Sequence, residues 1–93
     1  MLNKNILEIR KQLDKLDNSL LKLIKRRIYL VDKVLKSKKY KKEIIDKKRI
    51  KVILKNISIK SKRQKIDPIV TRRIWISMIR SFIDYEFRNF DKK

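Results

Sequence analysis

Ile6-Leu7-Glu8-Ile9-Arg10-Lys11-Gln12-Leu13-Asp14-Lys15-Leu16-Asp17-Asn18-Ser19-Leu20-Leu21-Lys22-Leu23-Ile24-Lys25-Arg26-Arg27 is the stretch that decides the fold. Ile6, Ile9, Leu13, Leu16, Leu20 and Leu23 recur in alternating steps of three and four, and Leu30 and Val34 continue the series beyond Arg27. This is the apolar seam of a long helix packed against other helices. Arg27 occupies a seam position. A guanidinium keeps its charge in a protein and is costly to bury unpaired. Arg27 therefore snorkels or salt-bridges at the edge of the core, or meets an anion inside it.

Working outward, Asn5 can cap this first helix, with Glu8 three residues on as in a capping box. Glycine is absent and Pro68 is the only proline, so the helix can run to about Lys38. At 1.5 Å per residue that is roughly 50 Å. Lysines 36, 38 and 39 suit the negative end of its dipole. A joint follows over residues 39–45. Asp46 can cap a second helix whose inward face carries Arg49, Val52, Ile53 and Ile57. Residues 61–66 form the second joint. Asp67-Pro68 reads as a cap plus first-turn proline. The third helix then runs to about Phe90, with Ile74, Trp75, Met78, Ile79, Phe82 and Ile83 inward. The expected class is all-α, with one long helix and two shorter ones, as a single domain over residues 1–93. The short helices cannot cover the whole seam of the long one, so the expected assembly is an intertwined homodimeric helical bundle.

Composition narrows the chemistry. Without cysteine there are no disulfides and no thiolate metal site, and without histidine the commonest general base and metal ligand is missing. No apolar run approaches a membrane span and no signal-peptide pattern opens the chain, so a soluble, cytoplasmic protein is expected. The net charge of +19 first suggests nucleic acid. Glycine and alanine, with GC-rich codons, are absent, while lysine, isoleucine and asparagine, with AT-rich codons, abound. A genome drifting toward AT gives that balance on any helical scaffold. The lysines are also spread along the whole chain and not gathered in a patch. Nucleic acid is therefore set second, and a basic helical nucleic-acid-binding dimer stays open as the reading of a different class.

Charges sit where apolar residues belong. Arg27, Val31, Val34 and Lys38 share one face by steps of four, three and four. Trp75, Ile79, Phe82 and Glu86 repeat those steps on the third helix, so Glu86 ends an aromatic and apolar stripe. Arg49 lies one turn before Val52 and Ile53. These charges make either a buried ion-pair network, for example Glu86 with Arg27 or Arg49, or a pocket for a small, multiply charged anion. Arg10 lies 17 positions before Arg27, about 25 Å along the helix. It cannot serve Arg27's pocket in the same subunit, but in an antiparallel dimer it could reach the partner's.

The ordered set of motifs resembles the all-helical chorismate mutase family over about residues 7–87. Leu7-Glu8-Ile9-Arg10 followed by Leu13-Asp14-Lys15-Leu16-Asp17 is similar to the family's L-x-x-[IL]-R-x-x-[IL]-D-x-[IL]-D opening. Leu20-Leu21-Lys22-Leu23-Ile24 leading to Arg26-Arg27 is similar to L-L-x-L-[IL]-x-x-R, and Lys38 falls at the family's catalytic lysine. Asp46-Lys47-Lys48-Arg49 resembles the D-x-x-R of D-x-x-R-E, and Ile66-Asp67-Pro68 resembles the turn before the last helix. Ile74-Trp75 through Ile83-Asp84-Tyr85-Glu86 resembles that helix, which ends in Glu or Gln at the catalytic position. Two residues depart from the pattern. Ile50 stands where the family has the Glu linked to the substrate hydroxyl, and Phe82 where some relatives have a serine near a substrate carboxylate.

The resemblance implies rearrangement of chorismate to prephenate in aromatic amino-acid biosynthesis, a reaction without nucleophile, metal or cofactor. It implies that Arg27, with Arg10 from the partner subunit, holds the two carboxylates, where bidentate arginine geometry is suited. Lys38 would contact a carboxylate and the ether oxygen, and Glu86 would give that oxygen a second bond. Arg49 would position the ring side, with Asp46 bracing the segment near the ring hydroxyl. An isochorismate pyruvate lyase on the same fold is the runner-up.

Overall fold

The computed structural model describes residues 3–90. These form α1 (Lys4–Ser37), a 3₁₀ turn (Lys41–Glu43), α2 (Lys47–Arg63) and α3 (Pro68–Asn89). No strand occurs among the described residues. The expected class is met: three helices of 34, 17 and 22 residues, the first much the longest. By its internal contacts the chain divides into two compact units, one ending at Val31 and the other beginning at Asp32.

The first unit is helix α1 up to Val31. Its cap is Asn3 and not Asn5: the Asn3 Oδ1 accepts from the Ile6 N–H at 2.9 Å. The helix starts before Asn5 because Asn3 already satisfies one of the orphan donors of the first turn. The capping box with Glu8 is thereby lost. Every residue from Asn3 to Arg26 is exposed, including the seam, where Leu13, Leu16 and Leu23 are 52%, 59% and 61% exposed. Cover begins only at Arg27, Ile28 and Val31, which are half-buried. Fully burying one such aliphatic side chain contributes roughly 1.5–3 kcal/mol. The six seam residues from Ile6 to Leu23 thus leave on the order of 10 kcal/mol of burial unrealised in the single chain.

The second unit holds the end of α1, the 3₁₀ turn, α2 and α3. Leu35 and Ile44 are its most covered apolar residues, each 3% exposed. The turn is held by the Glu43 carboxylate, which accepts from the Lys39 and Tyr40 N–H groups at 2.6 and 3.0 Å. Asp46 caps α2 as expected, its Oδ1 accepting from the Arg49 N–H at 3.0 Å. Asp67 caps α3 through the Ile69 N–H at 2.9 Å, with Pro68 in the first turn.

Helices α2 and α3 form a hairpin. On α2, Ile50, Ile53, Leu54 and Ile57 are half-buried, while Arg49 and Val52, expected inward, are exposed. The α2 stripe is turned by one residue from the expected face. On α3, Trp75, Met78, Ile79, Phe82 and Ile83 are half-buried as expected, and Ile74 is 51% exposed.

The second joint is shorter than expected because Ser61 stays helical and buried. Its Oγ bonds back to the Ile57 carbonyl at 2.6 Å and meets the buried Thr71 Oγ1 at 2.7 Å. Two small hydroxyl residues satisfy each other where the two helices meet. The helix then closes in a Schellman motif. The Ile66 N–H bonds the Ser61 carbonyl at 2.9 Å and the Lys65 N–H bonds the Lys62 carbonyl at 3.2 Å. Lys65 takes the left-handed position, φ 59°, that glycine usually fills. Lys65→Gly should therefore stabilise the protein by about 0.5–1 kcal/mol, read as a melting temperature a few degrees higher at matched protein concentration. An unchanged or lower value would show that Lys65 is not strained.

Candidate active site

The chain has 29 lysines and arginines and 10 aspartates and glutamates. Among the described residues, only four of these side chains are not exposed: Arg27, Asp32 and Lys38 are half-buried, and Glu86 is buried. Withdrawing a charge from water costs several kcal/mol unless a partner compensates. So few exceptions in so charged a chain mark where the fold has committed its ionic groups. Three of the four are residues that the sequence pattern singles out.

Glu86 reaches its place because α3 is uninterrupted from Pro68, which carries the stripe Trp75, Ile79, Phe82 to a fourth position one turn on. Lys38 reaches its place because α1 ends at Ser37. The Lys38 N–H still bonds the Leu35 carbonyl at 3.1 Å, but the chain then turns toward the 3₁₀ segment. The Lys38 Nζ meets the Glu86 Oε1 at 2.9 Å, with side chains 17% and 9% exposed. In this low-dielectric setting a charge-assisted bond is strong, and removing one partner strands the other. Val34, expected between the two cations, is 51% exposed, and Leu35 is the covered residue of that turn.

Asp46 lies close by. A shallow cavity of about 670 Å³ is lined by Ser37, Lys38, Glu43, Asp46, Lys47 and Lys48, with Ile45. Lys38 and Asp46 thus share one surface, and Lys47 and Lys48 make it basic. The Arg49 side chain is exposed, so its predicted inward position is not seen in the single chain. Arg10 and Arg27 belong to the first unit, Arg10 exposed and Arg27 half-buried. No group of three His, Cys, Asp or Glu side chains among the described residues could hold a metal ion. No helix among them is long and apolar enough to cross a membrane.

A family model described as chorismate mutase type II matches residues 9–87. The chain belongs to the chorismate mutase type II family. No curated protein and no solved structure matched the chain. The match spans Arg10, Arg27, Lys38, Asp46, Arg49 and Glu86. The two departures from the chorismate mutase pattern also acquire places. Ile50 and Phe82, where the sequence resemblance departs from the family pattern, are both half-buried, on α2 and α3.

Sequence reasoning missed one pair. The Tyr85 hydroxyl donates to the Asp32 Oδ1 at 2.7 Å, tying α3 to the end of α1. Asp32 is the fourth covered charge. It lies one turn before the buried Leu35, and no apolar period in the sequence marks it. The hydrogen bond to Asp32 raises the Tyr85 pKa above its ordinary value of 10.0, helped by burial and by the Asp32 charge and opposed by Arg88. The neutral phenol is the form Asp32 holds. The tie is therefore complete below the ordinary tyrosine value and is lost as pH rises through Tyr85's higher one. Alkaline titration of phenol absorbance, wild type against Tyr85→Phe, should place Tyr85 above the usual range, and Asp32→Asn should bring it down. A Tyr85 that titrates in the usual range would show that the bond is not kept in solution.

Proposed function

We propose that this chain is a chorismate mutase, an isomerase that converts chorismate to prephenate, with one chorismate mutase-like domain over residues 1–93. The observation that carries the reading is the small set of covered charges. Apart from Asp32, it consists of Arg27, Lys38 and Glu86, the residues to which the sequence resemblance assigns the chemistry.

The reaction is an intramolecular rearrangement, so the protein must hold a compact conformer and stabilise charge growing on the ether oxygen. Lys38 and Glu86 meet each other at 2.9 Å. Two groups so close can both reach one oxygen placed between them. Lys38 brings a positive charge to that oxygen, and Glu86 donates a hydrogen bond in its protonated form. The dianionic substrate supplies the anion that draws Lys38 away from Glu86. Arg27, and Arg10 from a partner subunit, hold the carboxylates, and Arg49 with Asp46 flanks the ring. The loss of polar groups at Ile50 and Phe82 weakens ground-state binding more than the chemical step.

The exposed α1 seam supports a homodimer, because a second copy offers the same apolar stripe to cover it. An exposed Arg10 is then explained as well, since its carboxylate contact lies across the interface.

Chorismate loss with product identification tests the reading. Prephenate supports it, pyruvate favours the lyase, and no turnover together with salt-sensitive duplex binding favours the nucleic-acid reading. Arg27→Ala and Lys38→Ala should each lower kcat/KM by about two orders of magnitude or more, while Glu86→Gln, which keeps a donor, should retain more activity than Glu86→Ala. Near-wild-type kinetics in Lys38→Ala would reduce the Lys38–Glu86 pair to a structural salt bridge. Mixing Arg10→Ala chains with Arg27→Ala chains should restore activity if sites are shared, and no recovery would remove Arg10 from the partner's site.

A further inference from the structure

Asp32 is a covered charge for which the proposed chemistry has no use, and its partner, Tyr85, directly precedes Glu86. We propose that Asp32 and Tyr85 are a positioning pair: their hydrogen bond sets the register of the last turns of α3 on the end of α1 and holds Glu86 opposite Lys38 once substrate separates the two. The inference rests on the mutase reading and adds two residues to it.

The geometry supplies the reason. Two side-chain bonds join the end of α1 and its following residue to α3: Lys38 to Glu86 at 2.9 Å and Tyr85 to Asp32 at 2.7 Å. The first is made by groups that must turn to the substrate, so it is surrendered when the position of Glu86 matters most. The second uses neither group and persists. Consecutive residues of a helix project about 100° apart, so Tyr85 and Glu86 leave α3 in different directions. Asp32 lies six residues before Lys38, about 9 Å of helix away. A tie at that distance and on another side of α3 resists both rotation and sliding of the helix. The bond is an O–H donor on a carboxylate, among the stronger hydrogen bonds available. The raised Tyr85 pKa is its expected signature. Misplacing a catalytic group slightly is enough to lower a rate tenfold or more.

The test is steady-state kinetics with product identification on wild type, Tyr85→Phe, Asp32→Leu, Asp32→Asn and the double variant Asp32→Leu/Tyr85→Phe, at a temperature where each is shown folded by circular dichroism. Tyr85→Phe and Asp32→Leu should each lower kcat about tenfold with KM within about twofold, the pattern of a lost transition-state contact. The double variant should lose no more than either single one, because both remove the same bond. Asp32→Asn, which keeps an acceptor for the phenol, should recover most of kcat. Unchanged kcat in Tyr85→Phe, losses that multiply in the double variant, or an Asp32→Asn no better than Asp32→Leu would each overturn the positioning role and leave the mutase reading standing. A wild type that leaves chorismate untouched overturns both, while the alkaline titration of Tyr85 still reports whether the bond exists.

Discussion

The cost of taking charge out of water governs this molecule. A chain with 29 cations can leave nearly all of them in solvent, where each is hydrated and replaceable. Of the four described charges withdrawn from solvent, Lys38 and Glu86 are drawn together at 2.9 Å at the end of an apolar stripe. Neither could be covered alone. Their pairing lets the end of α1 and the end of α3 approach, and it keeps two chemically useful groups desolvated and poised in the absence of any ligand. On the proposed function, the same penalty is what a dianionic substrate would exploit, since it would replace one anion beside Lys38 with another.

Much of the fold could be read because helices announce themselves locally. Asp46 and Asp67-Pro68 are caps whose chemistry is contained in a few residues, and both act as such. The errors arose where two local solutions compete. Asn3 and Asn5 can each cap a helix, and the sequence does not rank them. Ser61 has the composition of a loop, but its hydroxyl finds Ile57 and Thr71, the latter on another helix. Arg49 and Val52 lie next to the covered face of α2, and a rotation of one residue separates that face from the expected one.

The candidate site was legible in part for a related reason. Glu86 was visible because it breaks an apolar period, and Arg27 likewise. Lys38 came from its helical spacing to Arg27, although α1 ends one residue before it. Asp32 broke no period and paired with a residue 53 positions away. Such a contact depends on how α3 is turned, which no local pattern encodes. The whole α1 seam was legible as apolar, but the single chain does not cover it.

Lys65 shows how this architecture withstands mutational bias. It is the one described residue at a positive φ, in a chain that has no glycine at all. A fold rich in tight hairpins requires left-handed backbone at many turns, and losing glycine from each would accumulate strain beyond the margin of a small domain. Three helices joined by short turns require it once. The architecture can therefore drift through codon space that would dismantle most folds, provided that the few withdrawn charges are retained.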